Sequence, residues 1–273
     1  MCKDTVLKNL FFLCLITFLS NFSLIAKSKG VDSLQIGFRL GSGYKPESNF
    51  ENSLKNYSTT FPGNNLSETR LGKFNSLSNA EIFLTLRWWD KARAGMYFGN
   101  TIYDEFSLIE LNTFPYHSNL KYKLKTEYFI ISWIYTWNFR KFFLETGIGL
   151  GINETIWKTN GFSFSPFGYQ EEEGRLSGNG LSYRLETSLN RHITHSVILQ
   201  AGIKLDYHTV PSFSGQINQN LGNYYINANG DVFSGSNEEI VNSELFQNYY
   251  SRSLDMSVGN IVFFFSGIYT FHF

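Results

Sequence analysis

A histidine, a carboxylate and two serines come close together near residue 208. Asp206 precedes His208 by two positions, so both side chains share one face of an extended strand, and Ser212 and Ser214 follow shortly after. A serine nucleophile needs a histidine base within hydrogen-bond reach and an acidic group that orients the base. Serine is abundant in the neighbouring segments, so we favour a non-catalytic interpretation and keep His208, Asp206 and Ser212 as the catalytic alternative.

A second group of residues carries charges of both signs on faces that also hold many glycines. In a narrow interior an unpaired charge would cost several kcal/mol, so we predict that these side chains pair with one another. Counting along the strands places Arg39 beside Glu81, and Glu145 beside Arg184 and Glu186. The predicted ionic network comprises Arg39, Glu81, Arg87, Arg93, Glu145, Arg184, Glu186, Lys204 and Asp206.

The elements that would position these residues follow a period of two. Leu34, Ile36 and Phe38 alternate with polar or small residues, and the same pattern recurs along the chain, which indicates strands with one apolar face. The run from Phe129 to Tyr135 is apolar on both faces; its facing stays open, and we suspect a β-bulge there. The predicted strands cover about residues 34–41, 80–88, 93–99, 120–137, 142–153, 181–190, 197–208 and 256–273.

Short and long connections between these strands alternate. The connections at 89–91, 138–140 and 190–194 are short, whereas four others are long and rich in Asn, Ser and Gly: 45–78, 104–119, 157–179 and 208–255. Membrane barrels combine tight turns at one end with long loops at the other, and have an even number of strands. We therefore predict an all-β fold, a closed antiparallel up-and-down transmembrane barrel of eight strands, with ten as the alternative.

The aromatic residues support this interpretation, because they concentrate near strand ends as the two girdles of a membrane barrel do. One predicted belt lies beside the short turns and the C-terminus: Trp88, Trp89, Trp133, Tyr135, Trp137, Phe139, Phe142, Phe271 and Phe273. The other lies where strands meet long loops: Tyr44, Tyr103, Trp157 and Tyr207.

The N-terminal segment is predicted to be a cleavable secretory signal. Residues 1–26 begin with Lys3 and Lys8, continue through an apolar core too short to span a membrane as a helix, and end at Ala26. The rest, 27–273, is predicted to be a single barrel domain. Both cysteines, Cys2 and Cys14, lie inside the signal, so we expect no disulfide or thiol chemistry in the exported chain.

Composition excludes several classes of protein. Basic and acidic residues number 23 each, so no basic stripe for nucleic acid is expected, and 27 Phe, 16 Tyr and 5 Trp argue against disorder. Gly147, Gly149 and Gly151 resemble a phosphate loop superficially, but no helix follows them. We expect neither a cofactor nor a metal site.

The C-terminal strand carries a resemblance to a known class. Residues 261–273 end in Phe, and Tyr269, Phe271 and Phe273 share one face. This pattern resembles the terminal strand that the barrel-assembly machinery recognises in bacterial outer-membrane proteins, and these three residues are the predicted assembly signal. With the signal peptide and the strand layout, the chain is similar to small barrels of the OmpA membrane-domain type. The resemblance implies a location in the outer membrane of Gram-negative bacteria, with both termini periplasmic.

The resemblance carries no loop motif and so no functional residues. Eight strands enclose a space that side chains fill, so we expect a plugged lumen. The loops, far longer than hairpins need, suggest a structural or adhesive role at the cell surface. The expected partners are outer-membrane lipid, the assembly machinery and an extracellular protein or glycan, with a monomer in the membrane. A lipid-modifying enzyme of the lipid A acyltransferase or deacylase type, and a narrow channel, are the alternatives.

Overall fold

A computed structural model describes the chain at residues 33–46, 68–71, 75–89, 91–111, 117–165, 168–217, 220–226, 232–235 and 252–272. The predicted signal at 1–26 and the terminal Phe273 lie outside the described residues. None of the described residues belongs to a helix long and apolar enough to cross a membrane. The strands are β1 Ser33–Tyr44, β2 Glu68–Leu71, β3 Ser76–Trp89, β4 Ala92–Tyr103, β5 Phe106–Leu111, β6 His117–Asn138, β7 Phe143–Ser165, β8 Gly168–His192, β9 Val197–Val210, β10 Ser214–Ile217, β11 Asn220–Ile226, β12 Val232–Gly235, β13 Arg252–Ser253 and β14 Met256–His272.

Eight of these strands close into a ring. The order is β1, β3, β4, β6, β7, β8, β9 and β14, each pair is antiparallel, and β14 returns to pair with β1 over the whole of Ser33–Tyr44. Closure satisfies the backbone hydrogen bonds of every strand without leaving an edge, which is what a barrel requires. The predicted eight-stranded closed barrel is confirmed.

The two ends of the barrel differ. Ser33 is opposite both His272 and Arg87, so the barrel's first and last strands end where the short turn between β3 and β4 lies. The other two short turns, 139–142 and 193–196, lie at this same end. We call it the short-turn end and the opposite one the long-loop end.

The outer wall carries an apolar band of uniform height. On β6 it runs from Phe129 to Trp137, on β7 from Leu144 to Ile152, and on β8 from Leu181 to Leu189. These limits are directly paired across the three strands, so the band is flush at both edges. Each stretch spans nine positions, which matches the roughly 9–11 residues that a tilted strand needs to cross a bilayer.

Three strands continue far beyond the band. β7 and β8 have 23 and 25 residues, so more than half of each projects past the zone that about ten residues cross. The segment 157–179, expected to be a surface loop, is largely a paired ladder that reaches Ser165↔Gly168. We call the projecting parts of β6, β7 and β8, with β2, β5 and β10–β12, the sheet extension. It pairs β5 with β6 on one side and β10 with β8 on the other.

The prediction of a β-bulge in the fourth strand is wrong. β6 pairs with β7 without a register shift from His117 to Asn138. Ile130 and Ile134 point inward and belong to an interior apolar cluster, which is why both faces of this run are apolar. A register shift does occur in β3, between Arg87 and Trp89.

The interior is layered along the barrel axis. An apolar cluster around Phe83, Ile130 and Phe143 extends from mid-height to the short-turn end, and its rings pack against the charged side chains. Charged side chains occupy the middle, and a second apolar cluster around Tyr103, Trp157 and Phe213 closes the long-loop end. Alternation along each strand places the charges inside and the apolar band outside, because successive side chains point to opposite faces.

Candidate functional site

An ion-pair network crosses the lumen at mid-height. Glu81 on β3 accepts a hydrogen bond from Arg184 on β8, which is four strands away around the ring. Arg39 on β1 contacts Glu81 at 3.1 Å and Glu186 at 2.9 Å. Arg184 binds Asp206 through two nitrogens, at 2.6 and 2.9 Å. These contacts join the walls of the barrel to one another.

Glu81 forms ion pairs with three cations, more than any other described member of this network. Its Oε1 accepts from Lys204 Nζ at 2.6 Å and from the Tyr128 hydroxyl at 2.7 Å, in addition to Arg184. Lys204 also donates to Asn79 Oδ1 at 2.8 Å and lies 3.3 Å from Asp206. The network at mid-height therefore has no net charge, because three cations face three carboxylates. The cations are Arg39, Arg184 and Lys204, and the carboxylates are Glu81, Glu186 and Asp206.

A separate ion pair lies nearer the short-turn end of the barrel than this network. Arg93 Nη1 contacts Glu145 Oε1 at 3.0 Å and also donates to Gln35. Gln200 joins the two layers, because it accepts from Arg39 at 3.0 Å and donates to Glu145 at 3.3 Å. The sequence placed Glu145 beside Arg184 and Glu186, and this prediction is wrong. Glu145 is directly opposite Ser188 and forms its ion pair with Arg93.

Aromatic rings complete the packing around the charges. The Arg39 guanidinium lies 3.8 Å from the centroid of Phe264 and 5.1 Å from that of Phe83. Tyr97 stacks on Phe83 at 5.1 Å and donates to Glu186 at 3.2 Å. A cation over a ring face is stabilised by the ring quadrupole, most strongly where water is absent. Because the Arg39 side chain has no exposed surface, this stabilisation applies here.

The apolar cluster at the long-loop end corrects the predicted second girdle. Tyr103 and Trp157 were expected to face the membrane boundary, but they are only 3% and 2% exposed and belong to this interior cluster. Trp157 packs against Tyr122 and Phe213, with ring centroids 5.6 and 6.1 Å apart. Above the membrane the faces of the strands change character: apolar side chains point inward and charged ones outward.

The side chains of Trp88, Trp89 and Phe273 lie outside what the structure describes; the remaining predicted girdle residues point outward. Tyr44 and Tyr207 are exposed at the long-loop end. At the short-turn end the exposed rings are Tyr135, Trp137, Phe139, Phe142 and Phe271, whereas Trp133, opposite Ile148, is exposed at mid-height of the apolar band. Tyr269 and Phe271 of the predicted assembly signal share the outer face and pack edge to face at 4.9 Å.

The catalytic alternative is not assembled as the sequence suggested. His208 is fully buried and its Nδ1 is 2.8 Å from Ser182 Oγ, rather than bonded to Ser212. Asp206 is occupied by Arg184 and Lys204. Ser212 is exposed, after the end of β9. Nothing in this arrangement offers His208 to an external substrate.

Arg87 is the remaining residue of the predicted ionic network. It is half-buried and directly opposite Arg93. No group of His, Cys, Asp or Glu side chains among the described residues is arranged to hold a metal ion. Sequence reasoning missed the polar residues that bridge the charges, namely Asn79, Tyr128 and Gln200. Only Gln200 had a usable signal, because it shares a face with Lys204 on the predicted strand 197–208. Asn79 precedes the predicted strand 80–88, and the facing of the strand that holds Tyr128 was left open.

The sheet extension holds a cleft of about 1000 Å³ that the sequence did not suggest. Its lining is strongly charged: Glu105, Lys121, Lys123, Lys158, Glu171, Glu173 and Arg175, together with Thr159, Asn160, Gly174 and Gln216. Lys121, Lys123 and Lys125 alternate with inward Tyr122 and Leu124. That alternation is visible in the sequence and marks the projecting part of β6 as a strand.

Closure, the flush apolar band and the polar interior define the chain as a transmembrane β-barrel with a filled lumen.

No protein family model matches the sequence, and no curated protein matches it. Among solved structures, OprG from Pseudomonas aeruginosa matches at 11% identity over 90% of this chain and 99% of that one, with a TM-score of 0.40.

A major outer membrane protein from Thermus thermophilus matches at 7% identity over 87% of this chain and 99% of that one, with a TM-score of 0.43. Ail of Yersinia pestis matches at 10% identity over 87% and 99%, with a TM-score of 0.36.

Proposed function

We propose that this protein is an integral barrel of the bacterial outer membrane, with a closed lumen and a structural or surface-recognition role at the long-loop end. The observation that carries the proposal is the lumen-crossing contact between Glu81 and Arg184, with Lys204 bound to the same carboxylate oxygen. A solute would have to break several buried ion pairs to pass. Any recognition of an external ligand would therefore take place on the sheet extension and not inside the lumen.

The apolar band supports the membrane location. It matches the height of a bilayer, and its outer rings lie at the short-turn end, where the headgroup boundary would be. We place the short-turn end and both termini in the periplasm, since extended loops of outer-membrane barrels face the exterior. Assembly machinery that binds Tyr269 and Phe271 would then meet the last strand from the periplasmic side.

We also propose that the protein is not an enzyme. His208 and its partner Ser182 are both fully buried, and a base needs access to its substrate's proton. The test is lipid A acylation in cells that carry His208→Ala. Unchanged acylation supports the non-catalytic proposal, and a loss of acylation comparable to that in cells lacking the protein contradicts it.

Conductance tests the closed lumen. Full-length protein inserted in planar bilayers should give no steady current, whereas a narrow channel would give discrete steps. Surface proteolysis of intact cells tests orientation, because cleavage should be confined to the long-loop end. Cleavage at the exposed turn 139–142 in intact cells would reverse the proposed orientation.

Recognition is tested by shortening one hairpin. Ile156 and Ser177 are paired on β7 and β8, so residues 157–176 can be replaced by a two-residue turn. Cells that produce this variant should retain the heat-modifiable barrel but lose adhesion to immobilised glycan or matrix-protein layers relative to the full chain. Equal adhesion would leave the structural role and remove the recognition role of this hairpin.

A further inference from the structure

Three cations form one cross-strand row on the outer face of the sheet extension. Lys123 on β6 is directly opposite Lys158 on β7, and Lys158 is directly opposite Arg175 on β8. All three side chains are exposed and line the cleft of about 1000 Å³. Like charges placed directly opposite one another destabilise a sheet. The row therefore carries a repulsion that a bound anion would relieve.

The protein itself neutralises only one end of this row. Glu105 lies 2.8 Å from Lys123 and 3.7 Å from Lys121. Across the described ranges, no ion pair reaches Lys158 or Arg175. Two further carboxylates of the cleft, Glu171 and Glu173, lie beyond the row, on the side away from the apolar band. The centre of the cleft is thus a cationic site open to solvent.

The height of the row limits the ligand. Lys123, Lys158 and Arg175 lie six positions beyond the upper edge of the apolar band at Phe129 and Ile152. At about 3.3 Å per residue this is roughly 20 Å along the strand, or about 15 Å above the hydrocarbon once a strand tilt near 40° is included. The headgroup layer of an ordinary phospholipid is only about 5–7 Å thick. A membrane ligand that reaches the row must have a taller, sugar-bearing headgroup.

The strands β6, β7 and β8 run without interruption from the apolar band to the cationic row. Glu127 and Glu154 face each other just above the band, and Lys125 binds Glu127 at 2.6 Å. Carboxylates at this lower level disfavour a phosphate there and leave the cationic row as the anion site. Acyl chains on the apolar band and phosphates at the row would belong to one amphipathic molecule lying against the same three strands.

The geometry points to the phosphorylated saccharide headgroup of an outer-leaflet glycolipid as the occupant of this cleft, bound by Lys123, Lys158 and Arg175. The inference rests on the proposed function for its membrane location. It adds a ligand class and a site on the side wall of the barrel, distinct from the loop tips.

The test measures binding of purified, folded full chain in detergent micelles to lipopolysaccharide, to the same lipopolysaccharide after chemical dephosphorylation, and to inositol hexakisphosphate as a free polyphosphate. The variant is Lys158→Gln with Arg175→Gln. The matched control is Lys91→Gln with Lys141→Gln, two exposed lysines at the short-turn end. We expect at least a tenfold weaker affinity for intact lipopolysaccharide in the variant and no change in the control.

Three outcomes overturn the inference: equal affinity of the variant and the wild type, equal affinity for dephosphorylated lipopolysaccharide, and hexakisphosphate binding as tightly as the glycolipid. The last would make the occupant a free anion. The charge-conserving pair Lys158→Arg with Arg175→Lys should restore binding, which a purely structural effect of the first variant would not explain.

Folding and function are separated from binding in this design. Removing like charges should leave the ligand-free variant at least as heat-stable as the wild type, so lost binding together with lost stability contradicts the inference. Failure of the proposed membrane role would appear in cell fractionation or conductance. The phosphate dependence in micelles is measured independently of both.

Discussion

Glu81 on β3 and Arg184 on β8 form an ion pair across the full width of the barrel, with neither side chain exposed. The two strands are four positions apart in the ring of eight, so the contact joins opposite walls. Lys204 and Tyr128 share the same carboxylate oxygen. A charge held in this way is satisfied only while all of its partners are present.

Replacing Glu81 with Gln should destabilise the barrel by about 3–5 kcal/mol, because it leaves Arg184 and Lys204 buried with too little negative charge. Urea unfolding from lipid vesicles, followed by tryptophan fluorescence, measures the change. Glu127→Gln is the control, since Glu127 is exposed on the sheet extension and should change stability by no more than about 0.5 kcal/mol. Equal stabilities of the two variants would show that the network is not needed for the fold.

Glycine at position 37 is required by a close ring. A Cβ at this position would overlap Phe83 Cζ, in the ring that also contacts Arg39. Gly37→Ala should therefore cost about 1–3 kcal/mol through overpacking. The partner strand supplies a matched control: a Cβ at Gly267 meets nothing within 4 Å, so Gly267→Ala should be close to neutral in the same unfolding measurement. A neutral Gly37→Ala would mean that the Phe83 ring moves aside freely.

The barrel was predictable because its determinants are local. Period-two alternation fixes which residues face outward, and alternating loop lengths fix the order of the strands, so Arg39 and Glu81 were expected on neighbouring strands and are directly opposite. The contact between Glu81 and Arg184 was not predictable. It depends on how the closed ring brings opposite walls together and on the reach of an arginine, which no alternation encodes.

Most of the sheet extension outside β6 was missed for a different reason. Above the membrane the inward face is apolar and the outward face charged, which is the opposite of the pattern inside the bilayer. Leu124 and Trp157 are interior residues there, and Lys123 and Lys158 exterior ones. The predicted fourth strand, 120–137, already contained Lys123 and Leu124, but the paired parts of β7 and β8 were assigned to the loop 157–179. The alternation of lysines with Tyr122 and Leu124 on β6 could have predicted that its partner strands also continue.

Phe213 fixes the start of the β10 to β11 part of the sheet extension. It has no exposed surface and its ring meets Trp157 edge to face. Phe213→Ala removes about 3–5 kcal/mol of local packing and should expose residues 214–226 to protease on intact cells, while the heat-modifiable barrel persists. Leu221→Ala, at a position 78% exposed on β11, is the control and should leave proteolysis unchanged. Loss of the barrel itself in Phe213→Ala would show that the extension and the barrel unfold together.

Glu105 should set the pH dependence of anion binding at the cationic row. A hydrogen bond from Lys123 is the main cause that holds the pKa of Glu105 below its ordinary value of 4.5. The carboxylate is therefore charged at neutral pH and competes with an added phosphate for Lys123 and Lys121. Glu105→Gln should strengthen lipopolysaccharide binding several-fold at pH 7. In the wild type, the contact of the Glu105 carboxylate with Lys123 contributes stability at pH above the ordinary pKa of 4.5, and this contribution is lost as pH falls through the lowered folded pKa.

The difference between Glu105→Gln and the wild type should therefore shrink as pH falls through this lowered pKa, because protonation of Glu105 then makes the two chains alike. Binding titrations of both chains between pH 7 and pH 3 measure this convergence. Glu154→Gln, which removes a carboxylate from the level just above the apolar band, controls for the general loss of negative charge. An equal gain in both variants at pH 7 would mean that long-range charge, rather than competition for Lys123, sets the affinity.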